Sequence, residues 1–189
     1  MKERPILFSG PMVRAILDGS KTQTRRTFKG TTEHKGPYNP AYMEAHQQAN
    51  GWGRICPHGA PGDRLWVRET WAHERDGTGC PDDTGVLYRA TDPGWDDEGT
   101  GLRWRPSIFM PRIASRILLE ITDVCVQRLQ EISEEDARAE GAIGALNDSI
   151  GDNWCAREAF AALWESINGT GSWHANPWVW AITFRRLEP

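Results

Sequence analysis

The chemistry-bearing groups are densest at Gly19-Ser20-Lys21-Thr22-Gln23-Thr24-Arg25-Arg26, where one amine, two guanidinium groups and three hydroxyls crowd into a single turn. A threonine hydroxyl attacks an amide carbonyl only when a neighbour takes its proton. Lys21 can do so as the neutral amine, and burial next to Arg25 and Arg26 would lower its pKa toward that state. Thr22 or Thr24 would then be the nucleophile. The plainer alternative is a solvated basic turn. Residues three apart on a regular strand point to opposite faces, so Lys21 and Thr24 can meet only if the chain bulges or turns between them.

Glu140 comes next. It ends a short acidic helix just before Gly141, where the partial negative charge of the helix terminus disfavours a carboxylate. Such a position can raise a carboxyl pKa and suit a proton donor, but locally a solvated Glu in the acidic string Glu131, Glu134, Glu135, Asp136 is the better explanation. In Trp66-Val67-Arg68-Glu69-Thr70-Trp71, alternation puts Trp66 and Arg68 on one strand face and Val67, Glu69 and Trp71 on the other. Glu69 beside Trp71 reads either as a wall that stacks and hydrogen-bonds a base, or as an ion-paired Glu beside a core Trp. The run Trp173 to Trp180 could roof a pocket, with Trp178 as its candidate contact, or simply pack. Cys56, His58, His73 and Cys80 match no standard zinc spacing, and no metal or cofactor is expected.

These groups need elements to position them. Ser9-Gly10-Pro11 opens a two-turn helix that Gly19 stops, and Lys21 to Phe28 suits a strand. Asp63 to Thr70 and Gly85 to Ala90 are strand candidates, separated and followed by Gly/Asp-rich turns at 76–83 and 92–101. Ser115 to Leu129 is the longest strand signal, with a bulge near Thr122-Asp123. Ser133 caps a helix ending at Gly141, and a second helix runs from Trp154 to Ile167, with Ala156, Ala159, Phe160, Leu163, Trp164 and Ile167 on one face. Trp178 to Leu187 is the last strand. Residues 29–62 read as a long polar loop, with a short helix at 41–48. Strands outnumber helices without regular alternation, which predicts α+β with a curled, mostly antiparallel sheet.

Composition narrows the partners. Of 22 basic residues, 18 are Arg and 4 are Lys, and there are 10 Trp. Arg and Trp stack on flat rings and suit nucleobases, while codon bias and core filling account for the same counts. A net charge of -4 argues against long nucleic acid and leaves a single base or a short strand. Scattered cysteines without a CxxC pair, and the lack of an apolar run of membrane-spanning or secretory type, predict reduced thiols in the cytoplasm and no membrane partner. Nothing in the chain signals an oligomeric state.

The segments GPMVRAILDGSKTQTRR, PGDRLWVRETW, LQEISEEDARAEG and NPWVWAITFRRL, in that order, resemble the ASCH-domain family, a branch of the PUA-like fold. The wording is similar to longer members carried by bacteriophages and prophages. The resemblance implies one domain over 1–189, a mostly antiparallel β-barrel with flanking helices, and insertions at about 30–60 and 76–106. Some compact bacterial members are amidohydrolases that deacetylate N4-acetylcytidine with Lys, Thr and Glu. The motif carries these onto Lys21, Thr24 and Glu140, with Arg26 matching the motif's Arg. The implied activity is hydrolysis of an N4-acylated cytosine in a small nucleoside: Thr24 as nucleophile, Lys21 as base, Glu140 as proton relay, and Arg26, Trp66, Glu69, Trp71 and Trp178 as substrate contacts. The rival readings are a non-catalytic module for RNA or a modified nucleobase, and an ASCH-type ribonuclease using the same Lys and Arg on phosphate.

Overall fold

The computed structural model describes residues 1–28, 56–75, 81–92, 102–142 and 155–188. Strand β1 (Glu3–Leu7) leads into α1 (Gly10–Leu17), which starts after Ser9 with Pro11 in its first turn. Gly19 follows at φ +84°, the left-handed conformation that suits glycine beyond a helix end. Then come β2 (Gln23–Thr27), β3 (Arg64–Arg68), β4 (Trp71–Arg75), β5 (Pro81–Tyr88) and β6 (Leu118–Arg128). The chain ends with α2 (Glu134–Ala139), α3 (Ala156–Asn168) and β7 (Trp178–Leu187).

Five strands form one mixed sheet in the order β1-β3-β6-β7-β2, and β4 and β5 pair separately. All its pairings are antiparallel except β1 with β3, which is parallel. The β-barrel expectation is therefore corrected: among the described residues β1 and β2 are open edges, not partners. The α+β class and the predominance of antiparallel pairing hold.

The bulge in β6 lies between Ile121 and Asp123, where sequence alternation breaks. Ser133 caps α2, its Oγ accepting from the Asp136 amide at 3.0 Å. Two expectations need revision. Pro81 to Asp83, read as part of a turn, belong to β5, because pairing with β4 supplies what local propensity lacks. Ile167, placed on the buried face of α3, is 63% exposed, since it borders an open cleft and not a packed layer. The helix suggested at 41–48 lies outside the described residues, as do 76–80 and 93–101 of the turns.

The larger core joins α1 to the sheet through Met12, Val13 and Ile16 against Ile6, Leu65, Leu119, Ile182 and Phe184. A second core seats α3 and α2 on the start of β7, with Phe160, Trp164, Ala137 and Val179 in contact. The segment from α1 to β2 runs beside both cores. Among the described residues no helix is long and apolar enough to cross a membrane.

Candidate active site

Lys21 lies ahead of β2, not within it, and this resolves the geometric difficulty raised by its three-residue spacing from Thr24. Its amide donates to Ala15 O at 2.8 Å, and the next amide, of Thr22, donates to Ala139 O at 2.8 Å. The carbonyl of Thr22 accepts from Phe184 N at 2.9 Å, so the ends of α1 and α2 and strand β7 all hold this turn. Lys21 and Glu140 thereby form an isolated antiparallel bridge.

Gly141 makes the approach possible. Its φ is +70°, and a Cβ there would stand 2.9 Å from the Ala15 Cβ and 3.1 Å from the Lys21 Cβ. Any other residue would be strained in backbone and would wedge α2 away from α1.

Three charged side chains meet in the interior. Lys21 Nζ donates to Glu140 Oε2 at 2.9 Å, and Arg25 Nη1 donates to Glu140 Oε1 at 3.0 Å. Arg25 Nη2 also reaches Asp136 Oδ2 at 3.2 Å, and Gln23 Nε2 donates to Asp136 Oδ1 at 2.9 Å. Lys21, Arg25 and Glu140 are buried to within 4% exposure, and with Asp136 at the margin two cations are matched by two carboxylates. The two cations offset the unfavourable placing of a carboxylate at the C-terminus of α2. Arg26, which lines the cleft without a carboxylate partner among the described residues, is the cation left to favour a developing oxyanion.

The ammonium valences of Lys21 are distinguishable. Two N–H groups donate at 2.8 Å to backbone carbonyls, those of Gln23 and Glu140, and the second of these is an orphan acceptor at a helix end. A neutral amine also keeps two donors. The exchangeable proton is therefore the one shared with Glu140 Oε2. Burial, the largest influence, pushes the Lys21 pKa down; Glu140 holds it up, and the charges of Arg26 and Arg25 lower it further.

Thr24 is 2% exposed, and its hydroxyl makes no side-chain hydrogen bond among the described residues. Lys21, Thr24 and Glu140 line one cleft of about 110 Å³. At about 30 Å³ per water that is room for roughly four waters, the scale of one ring and far below a duplex. Phe8, Met12, Phe160 and Trp164 wall it, and Arg26 stands at its edge. Phe8 faces two cations, with Lys21 Nζ 5.5 Å and Arg26 Cζ 5.2 Å from its ring centre.

The other expected contacts lie elsewhere. Glu69 is buried and held by Arg116, whose Nε and Nη2 donate to its two oxygens at 2.9 and 3.0 Å. Burial nonetheless pushes the Glu69 pKa up, with Arg116 acting against it. Trp71 packs with Met110 and Ala114 in a small separate core. Trp66 is stacked by Arg68 at 5.1 Å, and Trp178 by Arg128 at 4.4 Å. None of Trp66, Glu69, Trp71 and Trp178 lines the cleft. Alternation sorted the faces of β3 correctly but could not tell which neighbouring layer each face meets.

Sequence reasoning overlooked Arg25 as the second partner of Glu140, and the wall residues Phe8, Phe160 and Trp164. One signal existed: Asp136 and Glu140 are four apart, which on a helix puts two carboxylates on one face opposite a basic turn. Trp164, read as core, is both core and wall, and its buried Nε1 has no acceptor among the described residues.

No family model matches the chain, and no curated protein matches it. Similar solved structures include a DUF984-family protein of Enterococcus faecalis V583, at 10% identity and TM-score 0.41, covering 99% of this chain and 81% of that one. A second is the ASCH domain from Lactobacillus crispatus JV V101, at 12% identity and TM-score 0.40, covering 98% of this chain and 79% of that one. An ASCH domain is thus among the chain's structural neighbours.

Proposed function

We propose that the protein is an ASCH-type amidohydrolase that removes the acyl group from an N4-acylated cytosine in a small nucleoside substrate. The observation that carries this reading is the burial of Lys21, Thr24 and Glu140 around one ring-sized cleft. Thr24 Oγ1 attacks the acyl carbonyl and forms the new C–O bond, and its proton passes to the Lys21–Glu140 pair. The pair acts as one unit, because the proton it shares across 2.9 Å can reside on either partner. As the tetrahedral intermediate collapses, the C–N bond breaks and the pair returns the proton to the departing exocyclic amine. Water then hydrolyses the acyl-threonine by the same route in reverse. Arg26, together with the Lys21–Glu140 pair once it has taken up the proton, steadies the oxyanion.

The test follows the ultraviolet absorbance of N4-acetylcytidine with the purified protein and with Thr24→Val, which keeps shape and removes the hydroxyl. The parent is expected to release cytidine, and the variant to lose at least about a hundredfold in kcat while keeping its fold. No turnover by the parent overturns the reading. The full saturation of the Lys21 ammonium favours a second reading, a non-catalytic base-binding module. It expects cytidine binding that survives Thr24→Val, with no product from either protein.

A further inference from the structure

A larger groove opens beside the cleft, of about 550 Å³, and the two share Phe8, Met12, Arg26 and Ile167 as common wall. Its polar lining is basic: Arg26, Arg68 and His58, with the Ser9 hydroxyl, which does not cap α1. We propose that this groove holds a phosphate of the substrate, so that the preferred substrate is a phosphorylated cytidine and not the free nucleoside; this rests on the acyl-cytosine reading of the adjoining cleft.

The unused donors of two arginines support it. Arg26 spends one nitrogen on Leu7 O at 2.7 Å, and Arg68 spends Nε on Met110 O at 3.0 Å. Neither has a carboxylate within 4.0 Å among the described residues, a state shared by Arg4, Arg14, Arg128, Arg157 and Arg186, but of these arginines Arg26 and Arg68 are the two that line the groove. Their backbone bonds hold the guanidinium groups in place, and an arginine fork matches phosphate oxygens.

His58 reports the field there. Burial, followed by the charges of Arg26 and Arg4, pushes its pKa down to about 4, so it stands neutral at pH 7 in a region that repels cations. Arg4 holds the His58 turn by donating to Pro57 O at 3.1 Å. Phe8 lines both cleft and groove, so a base in one and a phosphate in the other would be joined along this shared wall by a ribose.

The experiment compares kcat/KM for N4-acetylcytidine, its 5′-monophosphate, and a trinucleotide with N4-acetylcytidine at its centre, in the parent, Arg68→Gln and Arg68→Lys. A phosphorylated form should be preferred about tenfold or more, through KM. Arg68→Gln should erase that preference with nucleoside turnover unchanged, which also shows that the variant folds, and Arg68→Lys should restore part of it. A gain with the mononucleotide identifies a free nucleotide; a gain with the trinucleotide alone identifies a strand. Equal kcat/KM for all three substrates, or a preference that survives Arg68→Gln, overturns the proposal. Should none be turned over, the hydrolase reading fails, and equilibrium dialysis of cytidine against cytidine 5′-monophosphate decides the groove. Tighter monophosphate binding lost in Arg68→Gln sustains it, and equal binding overturns it.

Discussion

Replacing Glu140 by Gln tests the account of the buried charge cluster most directly. The carboxylate is the common partner of Lys21 at 2.9 Å and Arg25 at 3.0 Å, and all three side chains are within 5% of full burial. Removing one partner from such a set strands the rest, which costs about 3–5 kcal/mol. The Gln amide keeps one acceptor but brings two donors toward groups that can only donate while charged, so little is recovered. For a chain of this size the loss corresponds to a Tm about 6–20 °C lower.

The pH dependence of that loss carries the stronger test. Burial already lowers the Lys21 pKa in the parent and Glu140 is the influence that holds it up; without Glu140 it falls further below the ordinary 10.5 that the unfolded chain keeps. Between the folded and unfolded pKa the unfolded state binds the additional proton, so stability rises with pH, by at most about 1.4 kcal/mol per unit. Thermal unfolding by circular dichroism at pH 7, 8 and 9 should show the gap between variant and parent narrowing as pH rises. The double variant Lys21→Met, Glu140→Gln should lose that narrowing. A variant within about 1 kcal/mol of the parent, or a gap constant from pH 7 to 9, would refute the reasoning.

Gly141→Ala should cost about 1–3 kcal/mol, from its φ of +70° and the 2.9 Å approach to Ala15, and should lower turnover with stability; unchanged denaturant unfolding would contradict this. Glu69→Gln should destabilise by about 1–3 kcal/mol by loosening the bidentate Arg116 pair, with kcat/KM unchanged within about twofold because Glu69 lies outside the cleft. Activity falling beyond the unfolded fraction would bring Glu69 back to the site. His58 is pushed down to about 4 from 6.5, so the unfolded state takes up a proton that the folded state refuses as the solution is acidified. Its contribution should be whole above pH 6.5 and fade toward pH 4, up to roughly 3 kcal/mol, and His58→Gln should flatten that part of the urea-unfolding profile against pH.

Read alone, the sequence determined most elements of the described fold. The helix stop at Gly19, the cap at Ser133, the β6 bulge and the ends of β7 were legible because each depends on residues within one or two turns of one another. The residues alone left Thr22 and Thr24 open, and it was the resemblance to the ASCH family that pointed to Lys21, Thr24 and Glu140. What only the tertiary structure decided was contact between distant segments. Whether the sheet closes depends on edge pairing between β1 and β2, and which of ten Trp residues meets the cleft depends on strand order and on which layer covers each face. Trp66, Trp71 and Trp178 carry the same local pattern as a pocket wall, and Trp164 the pattern of a core helix, yet among the described residues Trp164 is the Trp at the cleft. Local periodicity records that a side is apolar; it holds no record of what arrives against it. The pairing of Arg25 with Glu140 spans 115 residues, and the docking of α2 on α1 at Gly141 creates it.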